Sequence, residues 1–148
     1  MGCSYLKFSM AIPRKISLAY SAVCKPLCKE LALPGTAFDI LMFLGNNPEY
    51  KTASDIVEIR HIKANLVSVN VERLVQEGYL IRRQVKNDRR KTDLLCTEKA
   101  LHVISRGREL QKAFSERLFT DMDSDTRKSL ESALNIIEKN LNEMLEEE

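Results

Sequence analysis

One pair of short strand-like segments in an otherwise helical sequence most constrains how this chain can fold. Residues 79–85 predict a strand that opens on Leu80 and Ile81, and residues 92–96 predict its return strand, where Leu94 and Cys96 alternate with their neighbours. Between them, residues 86–91 form a polar and largely cationic turn. A two-stranded hairpin is marginally stable alone. It must therefore pack on the flanking helices, which predicts a mainly α fold carrying a small β-hairpin.

Two helices are predicted at the start of the chain. Apolar residues at helical spacing run to Leu31, and Pro13 is a suitable first-turn residue, so the first helix should begin near it. Pro26 lies inside this pattern and should kink or interrupt the helix. A second helix carries the apolar residues of 38–44 and should end at the Gly-Asn-Asn-Pro sequence of 45–48.

Four more helical features surround the hairpin. Thr52 and Asp55 have the spacing of a capping box that opens a short helix. The next helix should span residues 63–77 and end at Gly78, which suits the left-handed position after a helix. A long helix follows at about 98–119, and a last one opens at Asp123. The last helix has an apolar seam that suits helix pairing, formed by Leu130, Leu134, Ile137, Leu141 and Met144 or Leu145.

Charge is distributed unevenly along the chain. The net charge of +2 indicates little, but residues 60–92 carry nine basic against three acidic side chains, while residues 138–148 have a net charge of −4. Such asymmetry predicts a local surface that binds a polyanion. No apolar run approaches the length needed to span a bilayer, which is about 20 residues. Arg14 and Lys15 break up the apolar start, so no signal peptide is predicted. We expect a cytoplasmic protein without a membrane partner and with reduced cysteines.

The helix at 63–77 has one apolar face and one polar face. Val67, Val71 and Leu74 form the face expected in the core. The other face is short and capable of hydrogen bonding, as base reading in the DNA major groove requires. Together with the preceding short helix it fits a helix-turn-helix, although a plain helical hairpin has the same pattern. The candidate DNA-binding residues here are Lys63, Asn65, Ser68, Val69 and Arg73.

The hairpin at 82–96 would act as a wing beside that helix. A cationic loop directly after a recognition helix can reach the phosphate backbone or a narrow minor groove, where arginine is favoured. A solvated turn with incidental charge is the alternative interpretation. The candidate DNA-binding residues in this segment are Arg82, Lys86, Asp88, Arg89, Arg90 and Lys91.

The wing and the start of the next helix resemble the MarR family of bacterial winged helix-turn-helix regulators. The sequence Asp-Arg-Arg-Lys-Thr-Asp-Leu-Leu-Cys-Thr-Glu-Lys-Ala at 88–100 is similar to the family's wing, with its Asp-x-Arg tip, alternating strand and Leu-Thr-Glu-x-Gly helix start. Residues 74–80 and 25–34 are also similar to family segments. The resemblance covers about 16–145 and is strongest at the wing.

The resemblance implies an architecture and a function. One domain over 1–148 would hold a winged-helix lobe at about 34–97 and a helical dimerisation region at about 8–32 and 98–148. The homodimer would bind a pseudo-palindromic operator as a repressor. Arg90 would enter the minor groove, and Asp88 would orient it through a charge-assisted hydrogen bond. A small effector or another signal would relieve repression. The cleft for an effector would include Tyr20, Phe38 and Met42, although a packed core explains these residues more simply.

Other activities find less support in the sequence. There is no phosphate-binding glycine loop, nucleophile elbow or paired His-Glu metal motif, so we expect no enzyme, no cofactor and no metal. Two alternatives stay open: a winged-helix module that binds a partner protein, and a thiol- or metal-responsive regulator on the same scaffold. The second would use Cys24 and Cys28, which share a helix face, or Cys3. We expect Cys24 and Cys28 to act as small buried hydrophobes.

Overall fold

The computed structural model of the protein describes residues 4–147, and it describes side chains from residue 11 onward. The helices are α1 (Ser4–Leu31), α2 (Gly35–Asn46), α3 (Ala53–Arg60), α4 (Ala64–Gln76), α5 (Glu98–Leu118) and α6 (Ser124–Glu146). Strands β1 (Leu80–Val85) and β2 (Asp88–Cys96) form an antiparallel hairpin between α4 and α5. The predicted mainly α fold with a hairpin wing is confirmed. Two compact units are present, one ending at Lys112 and one beginning at Ala113.

Helix α1 differs from the prediction at two prolines. It begins at Ser4 instead of near Pro13, and it continues through Pro26, where an interruption was expected. A proline inside a helix removes one hydrogen bond and crowds the preceding turn. On either side of Pro26, however, Cys24 and Leu27 are buried in the core. Burial of apolar side chains offsets part of that cost, so the helix persists.

Helix α2 lies at the centre of the larger unit. Seven of its residues are buried, which leaves it without a continuous solvent-facing side. An almost fully apolar helix of this kind is typical of a core position. Apolar residues from α1, α3, α4, the hairpin and α5 belong to the same buried cluster, including Leu27, Ile56, Leu74, Leu80 and Ile104. The helix-turn-helix and the hairpin are therefore built on a shared core.

Local signals at the helix ends are as predicted. The Thr52 hydroxyl accepts a hydrogen bond from the Asp55 N–H (3.1 Å), and the Asp55 carboxylate accepts one from the Thr52 N–H (3.1 Å), so the capping box of α3 is confirmed. His61 follows α3 in the left-handed conformation, with φ of 54°. Gly78 ends α4 with φ of 83°, a conformation that glycine adopts without strain.

The hairpin tip differs from the prediction. Strand β2 begins at Asp88, so the six-residue turn expected at 86–91 is a two-residue turn formed by Lys86 and Asn87. The register pairs Val85 with Asp88 but Gln84 with Thr92, which leaves residues 89–91 as an irregularity in the ladder. The polar composition of residues 86–91 indicated a loop, but the exposed ends of strands tolerate polar residues as readily as turns do. Away from the tip, the Leu94 N–H donates to the Lys51 carbonyl (2.7 Å), which ties β2 to the segment before α3.

The smaller unit contains the end of α5, a turn and α6. Asp123 caps α6 as predicted, because its carboxylate accepts a hydrogen bond from the Thr126 N–H (2.7 Å). The Arg127 guanidinium lies over the Phe119 ring, 4.7 Å from its centroid. No described residue of α6 is buried, and its predicted apolar seam is largely exposed.

Candidate nucleic-acid interface

Helix α4 divides into a buried and an exposed face as the sequence predicts. Val67, Val71 and Leu74 are buried. On the outer side, Asn65, Ser68 and Val69 are exposed, and so is Lys63 at the start of the helix. Val69 is 67% exposed, which leaves its methyl groups free for contact, although single exposed apolar residues are common on protein surfaces. The exposed face combines polar groups with one apolar residue.

Leu66 and Asn70 of α4 were not among the residues singled out from the sequence, and only Leu66 lies on this surface. Leu66 is 44% exposed and adds a second apolar side chain next to the polar stripe. Asn70 is buried, and its side-chain amide donates to the Leu66 carbonyl at 2.8 Å. A buried amide needs such a partner, so Asn70 supports the helix instead of facing solvent. Helical periodicity places both residues around the helix axis, but it does not show which neighbouring side chains cover them.

Arg73 lies apart from the other predicted residues of α4. Its guanidinium donates to the Ala32 carbonyl in the turn between α1 and α2 (3.0 Å), and its Nε lies 3.4 Å from the Glu77 carboxylate. These contacts hold the side chain toward the end of α1. The structure therefore groups Asn65, Ser68 and Val69 on one face but does not bring Arg73 to it.

Arg82 on β1 forms the main side-chain link between the wing and α4. Its Nη2 donates to Glu72 Oε2 at 2.8 Å, and the Gln76 amide donates to the other oxygen, Oε1, at 3.2 Å. The hydrogen bond and the charge of Arg82 hold the pKa of Glu72 below its usual value. A cleft of about 380 Å³ between α3, α4 and the hairpin has Ser68 and Arg82 on its walls. Arg82 thus lies beside the exposed face of α4.

The wing tip presents a compact group of cations. Arg89, Arg90 and Lys91 are exposed, and they occupy the part of β2 that is out of register with β1. Lys86 is exposed in the adjoining turn. The carboxylate of Asp88 accepts a hydrogen bond from the backbone N–H of Arg90 (3.0 Å). Asp88 therefore orders the tip through the main chain, whereas the resemblance implied a bond to the guanidinium.

The tip lies next to the start of the helix-turn-helix. A cleft of about 520 Å³ is lined by Arg90 and Lys91 from the wing and by Thr52, Asp55 and Glu58 from the beginning of α3. Burial alone would raise the pKa of Asp55, but hydrogen bonds from the backbone of Lys51 and Thr52 hold it below its usual value. Asp55 is accordingly charged and committed to its capping role.

Two of the residues predicted to contact an effector, Phe38 and Met42, belong to α2, and the third, Tyr20, belongs to α1. Phe38 and Met42 are buried in the core, and Tyr20 is half-buried. Tyr20 lines two cavities of about 420 and 330 Å³, and Asp39 lines both as well. Burial raises the pKa of Tyr20 to about 12, although its hydroxyl accepts a hydrogen bond from Gln111 at 2.9 Å. Burial also raises the pKa of Asp39, against the lowering effect of Arg60.

The described thiols lie in surroundings that disfavour their reactive form. Cys24, Cys28 and Cys96 are free, and burial raises the pKa of each. A higher pKa leaves less thiolate, which is the form that reacts with oxidants and binds metals. Cys3 lies outside the described residues. Within the described part of the chain, no cluster of three or more candidate ligands could hold a metal ion, and no helix is long and apolar enough to cross a membrane.

Comparison with known proteins agrees with the sequence resemblance. Residues 33–91, from the start of the second helix to the wing tip, match the model of the MarR family. The resemblance to that family is therefore confirmed. No curated protein matches the chain significantly.

Solved structures share the fold. A MarR protein from Peptoclostridium difficile superposes with a TM-score of 0.80 at 20% identity, covering 97% of this chain and 91% of the other. A putative MarR family transcriptional regulator from Listeria monocytogenes, complexed with 26mer DNA, has a TM-score of 0.79 at 21% identity and covers 90% of each chain. The S. aureus MepR–DNA complex has a TM-score of 0.73 at 13% identity, covering 86% of this chain and 92% of the other. At these identities the likeness establishes the winged-helix fold.

Proposed function

We propose that this chain, which matches the MarR family over residues 33–91 and has the fold of MarR-family regulators, is a homodimeric DNA-binding transcription regulator. The observation that carries this proposal is the pairing of two exposed surfaces in one lobe: the polar face of α4 and the cationic wing tip. Such a pair can read base edges and bind the backbone of the same duplex. The protein would act as a regulator in the cytoplasm and not as an enzyme.

Each surface has a distinct role in this proposal. Helix α4 enters the major groove, where Asn65 can pair with adenine and Val69 can contact a thymine methyl group. Arg90 at the wing tip enters the minor groove, whose narrow A·T-rich stretches attract arginine. Lys86, Arg89 and Lys91 contact phosphates and contribute affinity without sequence choice. The backbone hydrogen bond from Arg90 to Asp88 keeps the tip ordered, which lowers the entropic cost of binding.

Binding to duplex DNA tests the proposal directly. A labelled random-sequence duplex is titrated with the wild type and with Arg90→Ala over a series of salt concentrations. We expect Arg90→Ala to weaken binding by about tenfold, because it removes a cation that lies against the negatively charged minor groove and its flanking phosphates. Lys112→Ala on α5 is the matched control, since it removes an exposed cation outside the lobe. If Arg90→Ala and Lys112→Ala bind the duplex with equal affinity, the wing does not contribute to binding through Arg90. No binding of the wild type at low salt would instead favour a module that binds a partner protein.

Dimerisation is supported by α6. Its seam residues Leu134 and Leu141 are 42% and 50% exposed, and such a continuous apolar stripe is rare on a monomer surface. The wild type should sediment at twice 16.9 kDa, and Leu134→Glu combined with Leu141→Glu should sediment as a monomer. The matched control is Asn135→Glu combined with Asn142→Glu, which adds the same charges one position further along and should remain a dimer. A dimer that survives the first pair of changes would exclude this seam as the interface.

Regulation by a small effector is the remaining part of the proposal. Tyr20 and Asp39 line both cavities: one lies between α1 and α2, and the other also includes Arg60 of α3 and Gln111 of α5. An effector that releases DNA must bind the DNA-incompetent state more tightly. In a reporter strain that carries a DNA sequence selected for tight binding, the wild type should repress transcription. Compounds that relieve repression should stabilise the wild type against heat but not Tyr20→Ala. Relief that persists in Tyr20→Ala would place the effector elsewhere.

A further inference from the structure

Glu72 poses an electrostatic problem for a recognition helix. It is the one acidic residue of α4, and helical spacing places it on the same exposed stripe as Asn65 and Val69. A carboxylate at that position faces the polyanionic backbone of DNA, where like charges repel each other. The exposed stripe therefore requires something that offsets this charge.

Arg82 lies where it can supply that offset. Its guanidinium donates to Glu72 Oε2 at 2.8 Å, and the Gln76 amide donates to Glu72 Oε1 at 3.2 Å. Both carboxylate oxygens thus have a donor from the protein itself. Arg82 also belongs to β1, so the pair joins the wing to the recognition helix across ten residues of sequence.

We propose that Arg82, which the sequence predicted to contact DNA, is instead a positioning residue that neutralises Glu72. This inference rests on the proposed function, because it describes how the same surface meets DNA. With its carboxylate occupied, Glu72 neither repels the duplex nor accepts a hydrogen bond from a cytosine amino group.

The next residue on β1 provides a matched control. Arg83 carries the same charge on the same strand, but its guanidinium lies 3.8 Å from Asp93, across the hairpin from it. Removing Arg83 therefore takes away one cation from the wing without uncovering a carboxylate on α4. If Arg82 acted only through the general positive charge of the wing, its removal would have the same effect as the removal of Arg83.

The experiment is a double-mutant cycle on DNA binding. Affinity for a labelled random-sequence duplex is measured for the wild type, Arg82→Ala, Glu72→Gln and the double variant over a series of salt concentrations. We expect Arg82→Ala to weaken binding by about tenfold when Glu72 is present, and to have almost no effect in the Glu72→Gln background. Because salt screens the repulsion between Glu72 and the duplex, the loss in Arg82→Ala should shrink as the salt concentration rises. Arg83→Ala should have the same effect in both backgrounds.

Two outcomes would overturn the inference while leaving the proposed function intact. Equal weakening by Arg82→Ala in both backgrounds, with a salt slope lower by about 0.9, would make Arg82 a phosphate ligand. No effect in either background would remove it from DNA binding altogether. A wild type that does not bind duplex DNA would overturn the proposed function, and this inference with it. Arg82→Lys should retain most of the affinity, because an ammonium group can still neutralise Glu72. Recovered binding in the double variant shows that the loss in Arg82→Ala is not due to unfolding.

Discussion

Replacing Gly107 by alanine should destabilise the contact between α5 and α2. A Cβ atom on Gly107 would lie 2.3 Å from Met42 Sδ, 2.8 Å from Met42 Cε and 3.1 Å from Phe38 Cζ. Non-bonded heavy atoms prefer separations of about 3.5–4.0 Å, so the sulfur would have to move by more than about 1 Å. Met42 and Phe38 are both buried, so the overlap is relieved only if the flexible end of Met42 moves toward the cavity of about 330 Å³ that it lines.

The magnitude follows from two opposing effects. Overpacking a well-packed core costs about 1–3 kcal/mol. Alanine is a better helix former than glycine in a helix interior, which returns up to about 1 kcal/mol. We therefore expect a net loss of about 1–2 kcal/mol. For a chain of this size that loss lowers Tm by roughly 2–8 °C.

Thermal and denaturant unfolding of Gly107→Ala provide the assay. Gly35→Ala is the matched control, because a Cβ atom there meets nothing within 4 Å and the residue lies in the first turn of α2. It should leave Tm unchanged or slightly raised. Adding Met42→Ala removes the atoms that clash, so the combined variant should lose less stability than the sum of the two single changes. A Tm for Gly107→Ala at or above that of the wild type would refute the reasoning.

Three further predictions concern stability and reactivity. Thr52→Ala removes the hydroxyl half of the α3 capping box and should cost about 1 kcal/mol in denaturant unfolding, whereas Thr52→Ser should cost little. Burial raises the pKa of Asp39, so its protonated form favours the native state, and the stability it contributes at low pH is lost as pH rises through its folded pKa. Asp39→Asn should therefore raise Tm at pH 7 but not below the ordinary aspartate pKa, and an equal shift at both pH values would contradict this. In a Cys3→Ser protein at pH 7, iodoacetamide should alkylate the remaining thiols more slowly in the native than in the unfolded chain; rapid native reaction would revive the thiol-responsive alternative for Cys24, Cys28 and Cys96.

Local signals in the sequence predicted the scaffold of the interface well. The capping box of α3, the glycine that ends α4 and the two faces of α4 each depend on residues within a few positions of one another. Such features follow from backbone geometry and helical periodicity, so they can be read without knowing the rest of the fold. The cationic composition of the wing can likewise be read directly from the sequence.

Features that depend on distant partners were predicted less well. Arg73 appeared to belong to the reading face of α4, but its guanidinium contacts the carbonyl of Ala32, 41 residues earlier. Pro26 was expected to interrupt α1, but its neighbours are held in a core made by other elements. Gly107 carried no signal in the sequence, because its importance arises only where Met42 approaches it.

The sequence alone determined which elements form and where the cations and polar groups of the interface lie along the chain. Hydrophobic periodicity, capping residues and the Asp-x-Arg tip are local properties, and they suffice for a winged helix-turn-helix. Only the tertiary structure decided how those charges are used. It joined Arg82 to Glu72, turned Arg73 toward Ala32 and bonded Asp88 to the backbone of Arg90. The physical reason is that a long charged side chain has many conformations in the unfolded chain, and the neighbours that select one of them are brought together only by folding.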